Sequence, residues 1–206
     1  MSRQTIPLTN DWGFTRSDDA GSMAADYDDS AWARVRVPHD WAIAGPFDRE
    51  VDVQRIVKKQ ADVERGVVAI TGRTGGLPHV GVGWYRKLIR VSADGEGKRV
   101  RIEFDGAMSR SQVYCNGTLV GTWPYGYSSF SVDLTDAIEP GEEDLIAVRL
   151  ENKTDSSRWY PGAGLYRNVR LVLLDPLHVA HWGTYVTTPE VSRESATVCL
   201  KTTVEN

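Results

Sequence analysis

The residues best suited to chemistry are bunched in one stretch, Ser156-Ser157-Arg158-Trp159-Tyr160-Pro161-Gly162-Ala163-Gly164-Leu165-Tyr166-Arg167. A guanidinium beside aromatic rings offers a planar donor fork next to a stacking face. The glycines that follow permit tight backbone paths. Pyranose recognition needs that combination, with donors for hydroxyl oxygens and a flat surface for axial C–H groups. The same residues would equally build a packed corner, with Trp159 and Tyr160 in the core and Arg158 in an ion pair. Residue chemistry alone leaves both open.

Other chemistries find little support. The four histidines (His39, His79, His178, His181) include no HExxH pair. On a strand, His178 and His181 point to opposite faces and cannot chelate together. No Gly-x-Ser-x-Gly elbow for acyl hydrolysis is present. Thr71-Gly72-Arg73-Thr74-Gly75-Gly76 lacks the Gly-Lys-Ser/Thr of a phosphate cradle. The acidic residues 17–31 lack the alternating positions and fixed glycine of a calcium loop, so a solvated surface is expected there. No cofactor or metal is implied. From residue types alone the chain reads as a binding or scaffold module.

The elements that must position the Arg-Trp-Tyr segment are strands. Residues 84–91 combine aromatic and β-branched types, and Arg99-Val100-Arg101-Ile102-Glu103-Phe104 alternates polar and apolar, the pattern of a strand with one wet face. Asn116-Gly117 between two apolar runs marks a hairpin. Further strands are expected at 129–134, 144–151 and 167–174, and no segment sustains a 3.6-residue apolar period. The expected architecture is all-β, an antiparallel jelly-roll β-sandwich. A long connection, residues 45–83, interrupts the rhythm, with a short helix expected within residues 58–69. After Asp175-Pro176, residues 177–188 and 195–205 read as two strands around a turn containing Pro189. Two strands cannot bury a core, so a second sandwich is expected to begin there. The open edge of that hairpin makes a homo-oligomer plausible by strand pairing.

Composition agrees with a globular protein. The 206 residues carry 24 basic and 28 acidic side chains, a formal charge of −4 that gives no footprint for nucleic acid. No apolar run of about 18 residues is present, so no membrane partner is expected. Cys115 and Cys199 suggest no disulfide framework, and the first residues show no apolar export segment, so the expected location is cytoplasmic. Seven Trp and eight Tyr against four Phe suit sandwich cores and sugar surfaces alike.

Several motifs, taken in order, resemble family-2 glycoside hydrolases, the β-galactosidase group especially. They are Tyr27-Asp28-Asp29-Ser30-Ala31-Trp32, Val37-Pro38-His39-Asp40-Trp41, Gly83-Trp84-Tyr85-Arg86-Lys87, Phe104-Asp105-Gly106-Ala107-Met108, Tyr114-Cys115-Asn116-Gly117 and the stretch from Arg158 to Val169. The resemblance covers roughly residues 10–175. It implies a sugar-binding jelly-roll domain over residues 1–175 and the first strands of an immunoglobulin-like domain over residues 176–206. It further implies a retaining parent enzyme acting on terminal β-galactosides, with both catalytic glutamates on a barrel that this sequence does not contain. The isolated chain is therefore expected to share a β-galactoside with that barrel and not to hydrolyse it. Carried onto this sequence, the resemblance makes Arg158 a donor to a sugar hydroxyl, with Trp159 and Tyr160 beside it in the wall. His39 and Asp40 are the next candidates, although Asp40 also suits a turn in which it bonds backbone. Trp32, Trp41 and Trp84 are expected in the core. A β-glucuronidase or β-mannosidase parent, or a free-standing carbohydrate-binding module, are the alternatives.

Overall fold

A computed structural model of the chain describes residues 2–44, 80–153 and 162–206, together with the backbone of 53–60 and 63–71. The fold is all-β, with fourteen strands among the described residues: β1 (Arg3–Pro7), β2 (Trp12–Thr15), β3 (Ala33–Val35), β4 (Val53–Gln60), β5 (Val63–Thr71), β6 (Gly81–Arg90), β7 (Arg99–Phe104), β8 (Ser111–Cys115), β9 (Thr118–Trp123), β10 (Phe130–Asp133), β11 (Glu143–Asn152), β12 (Val169–Leu174), β13 (His178–Val191) and β14 (Ala196–Glu205). A four-stranded sheet, β1-β12-β7-β10, packs on a six-stranded sheet, β3-β2-β6-β11-β8-β9. The named pairings within both are antiparallel.

Alternation along strands such as β7 and β8 helps to build the core between the sheets. On β7, Val100, Ile102 and Phe104 are buried, while Arg99 and Arg101 keep contact with solvent. Phe104, Phe130 and Trp123 stack in sequence, with centroids 4.6 and 5.7 Å apart. Fully burying a side chain such as Phe104 or Phe130 contributes roughly 1.5–3 kcal/mol by taking it out of water. The Asn116-Gly117 hairpin joins β8 to β9 as expected, both residues having positive φ (49° and 83°). That backbone matches the twist of the flanking strands.

Three expectations need correction. Among the described residues of 58–69 there is no helix; β4 and β5 pair antiparallel, from Val53↔Thr71 to Gln60↔Val63. The β-branched types Ile56, Val57, Val63, Val67, Val68 and Ile70 favour strand over helix, and cross-strand pairing rewards that preference. The terminal turn falls at residues 192–195, where Ser192 and Ser195 exchange backbone and side-chain bonds. Pro189 lies inside β13, at a register shift between Thr187 and Glu190, where a missing N–H is tolerated.

The acidic stretch is largely exposed as expected, Asp18, Asp19, Asp26 and Asp28 included, but part of it covers the sheet, and the third correction is Trp32 within that cover. Trp84 and Arg86 alternate with the core residue Tyr85 and so face away from the sandwich interior, yet both are buried. The 3₁₀ turn Ala20–Met23, capped by Asp19 accepting from Gly21 N, lies over β11 on that side. The Arg86 guanidinium donates to the carbonyls of Ser22 (2.8 Å), Ala24 (2.7 Å) and Tyr27 (3.2 Å) and to Asp29 Oδ2 (3.2 Å). Trp41 and Trp84 are buried as expected, but Trp32 is only half-buried. It packs edge-on to Tyr27 beneath Arg86, in the cover and outside the core.

Candidate functional site

The motifs that stand far apart in sequence meet at one end of the sandwich. The backbone of residues 39–41 runs beside that of 163–165, with His39 N donating to Leu165 O (2.8 Å) and Trp41 N to Ala163 O (2.9 Å). On the other side of the same turn, Met108 and Gly164 exchange both backbone bonds (3.0 and 3.1 Å). Asp105 completes the bracket. Its carboxylate accepts from Asn168 Nδ2 (3.3 Å) and pairs with Arg170, and its N–H donates to Asn168 O (3.0 Å).

Side chains then fix the turn. Asp40 Oδ1 accepts from the N–H groups of Ala42 (2.9 Å) and Ala163 (3.0 Å), bonding backbone across 123 positions. Gly164 has a φ of +122°, and a Cβ there would stand 2.4 Å from Tyr85 Oη and 2.6 Å from His39 O. Only glycine permits that path. Tyr85 is wholly buried, and its hydroxyl lies 2.7 Å from His39 Nδ1. Phe14 closes the cluster, 4.7 Å from His39, 4.9 Å from Tyr85 and 5.5 Å from Trp41 between centroids. Gly83 admits this packing, because a Cβ there would meet the Trp41 ring at 2.7 Å.

The electrostatics suit a scaffold. Burial pushes the His39 imidazole below the usual histidine range, partly offset by the neighbouring Asp40 charge. Burial drives the Tyr85 hydroxyl well above the ordinary tyrosine range. Both are therefore neutral near pH 7. A polar rim continues from the turn. Tyr166 Oη donates to Gly126 O (2.9 Å), and the Arg167 guanidinium lies 5.2 Å from the Tyr166 ring centroid. Among the described residues no group of three or more His, Cys, Asp or Glu side chains could hold a metal ion.

Of the five residues expected to meet sugar, His39 and Asp40 fall in this cluster, both half-buried. Arg158, Trp159 and Tyr160 lie outside the described residues, directly before the Gly162–Gly164 turn that the cluster holds. The Gly-rich segment 72–76 is also outside them. Sequence reasoning missed Phe14 and the role of Met108. Neither carries a polar signal, and only the fold brings them to the turn.

A family model for the glycosyl hydrolases family 2 sugar binding domain matches residues 8–175. The chain is 40% identical over 205 residues to a β-galactosidase of Bacteroides ovatus, covering 99% of this chain and 22% of that protein. It is 30% identical over 226 residues to a β-glucuronidase of Formosa agariphila, covering 99% of this chain and 21% of that one. Among solved structures, a β-glycosidase from Bacteroides vulgatus superposes with a TM-score of 0.80 at 32% identity, over 98% of this chain and 24% of that chain. The chain thus spans about a fifth of the length of these curated relatives. Since the matched span takes in the six-stranded sheet, the four-stranded sheet apart from β1, and the bracketed turn, the chain belongs to glycosyl hydrolase family 2, as its sugar-binding domain.

Proposed function

We propose that this chain is the sugar-binding wall of a retaining β-galactosidase acting on terminal β-D-galactosides, with the catalytic carboxylates on another part of the parent protein. The observation that carries the galactoside reading is the 40% identity to a β-galactosidase across nearly the whole chain, against 30% to a β-glucuronidase. Retaining hydrolysis needs two carboxyl groups about 5–5.5 Å apart, one as acid and one as nucleophile. In the cluster, Asp40 Oδ1 is already committed to two backbone N–H groups, which suits holding a wall better than attacking a sugar. The proposed division of labour follows. Arg158 donates to a hydroxyl of the non-reducing galactose, Trp159 and Tyr160 shape the wall, and Asp40, His39 and Gly164 fix the turn behind them. On the same reading, residues 176–206 open the next domain.

The test is the parent protein assayed on 4-nitrophenyl β-galactoside and β-glucuronide. The galactoside is the better substrate, and Arg158→Ala lowers kcat/KM by about ten- to a hundredfold, the worth of a charged hydrogen bond of roughly 1.5–3 kcal/mol. Equal kinetics for the variant would remove Arg158 from the site. A preference for the glucuronide would favour the second reading, which the Formosa relative supports.

A further inference from the structure

A second feature lies on the outer face of the six-stranded sheet. Register places Thr122, Gln112 and Arg149 in one row across β9, β8 and β11, since Gln112 pairs with both Thr122 and Arg149. Beyond the row, Arg110, Ser111, Trp123, Pro124 and Glu151 complete a cleft of about 320 Å³. That volume is at the small end of ligand pockets, about 300–1,000 Å³, and suits one sugar ring.

Its groups are set in place before any ligand arrives. The Trp123 ring is stacked on Phe130, and its Nε1 donates to Ser128 Oγ (3.1 Å). Arg149 is paired with Asp18 (2.6 Å), and Glu151 with Lys153 (3.2 Å), so those charges are matched. Arg110 is exposed and makes no ion pair among the described residues, which leaves one unmatched guanidinium at the cleft. Ser111, 1% exposed, alternates with Gln112 on β8 and so faces the sandwich interior beside Val113.

We infer that this cleft is an accessory site for an acidic sugar residue of a glycan chain. The Arg110 fork takes the carboxylate, Trp123 and Pro124 supply the apolar edge, and Gln112 and Thr122 supply hydrogen bonds to hydroxyls. A guanidinium reads a carboxylate through two parallel bonds, which selects a uronic acid over a neutral hexose. The inference does not depend on which glycoside the parent cleaves.

Calorimetric titration of the full chain with trigalacturonic acid, beside neutral galactotriose, tests the inference. Trigalacturonic acid binds with a dissociation constant on the order of 1 mM, and binding weakens as sodium chloride is raised. Arg110→Asn weakens it at least tenfold; asparagine tolerates the left-handed backbone at this position (φ 48°), so the variant keeps the fold. Gln112→Ala weakens it several-fold from within the strand. No binding at 10 mM, equal binding of the neutral trisaccharide, or unchanged affinity in Arg110→Asn would each overturn the inference. Because the readout is affinity and not hydrolysis, such a failure leaves the galactosidase reading standing.

Discussion

Asp40 and Gly164 show how single residues set this end of the sandwich. One carboxylate oxygen satisfies two N–H groups that would otherwise point into a crowded corner, and each such bond contributes about 1 kcal/mol net while costing more to leave unmade. Gly164 has nowhere to put a side chain, with the Tyr85 hydroxyl and the His39 carbonyl pressing on the same point. Gly164→Ala is therefore expected to destabilise the fold by at least about 2 kcal/mol, from left-handed strain plus overpacking, measured by urea unfolding. A smaller loss would mean that the turn relaxes easily and is not held by Tyr85. Elsewhere, Cys115 shows burial acting on a thiol. Apolar surroundings, with the Asp144 charge adding to them, push it up to about 11, so it stays protonated at neutral pH. Cys199 is exposed and also free.

Among the elements, the cover formed around the turn Ala20–Met23 has an unusual basis. An apolar plug would be the simpler way to seal Trp84, but here the seal is a buried guanidinium surrounded by carbonyl oxygens. Removing Arg86 leaves those carbonyls without their donor. Arg86→Met is expected to cost about 3 kcal/mol, the lower end for a broken buried pair, because Asp29 keeps Arg34 (3.4 Å) and some solvent. Hydrogen exchange should rise first in residues 19–32, ahead of the β7 and β12 amides. Uniform exchange across the sandwich would instead make Arg86 part of global stability. This cover was illegible in sequence. Five aspartates in fifteen residues look like a wet loop, and only the fold carries Arg86 to Asp29 and the carbonyls before it from more than fifty positions away.

For the whole molecule, the notable contacts tie the β13–β14 hairpin to the four-stranded sheet. Glu205 pairs with Arg101 (2.7 Å) and lies 3.2 Å from His178 Nε2, while Glu103 takes Arg3 (3.0 Å) and His181 (3.3 Å). Below the hairpin, Asp175 joins Lys98 (2.6 Å) and Ser2. The Lys98 bond, aided by Ser2, holds the Asp175 carboxyl far below the carboxylate range, and the Arg101 bond lowers Glu205. Both folded values are depressed, so their contribution is present above the unfolded values of about 4 and is lost as pH falls through the folded ones. Both groups are solvent-screened, so the effect is modest. Followed by Trp182 fluorescence, the hairpin is expected to loosen below about pH 4, and Glu205→Gln is expected to reduce that dependence. An unchanged acid profile in the variant would remove Glu205 from the junction.

Sequence by itself determined the strands whose patterns are local. The β7 alternation and the Asn116-Gly117 turn depend on side-chain period and backbone sterics, which neighbouring residues decide. It also determined the family, because several motifs in order are improbable together by chance. The tertiary structure alone decided what those motifs do for one another. His39, Tyr85, Met108 and Gly164 share one turn because two sheets bring them together. Similarly, the row Thr122, Gln112 and Arg149 exists only across three paired strands. Contacts between distant positions are set by register and packing, and neither is written in any short window of residues.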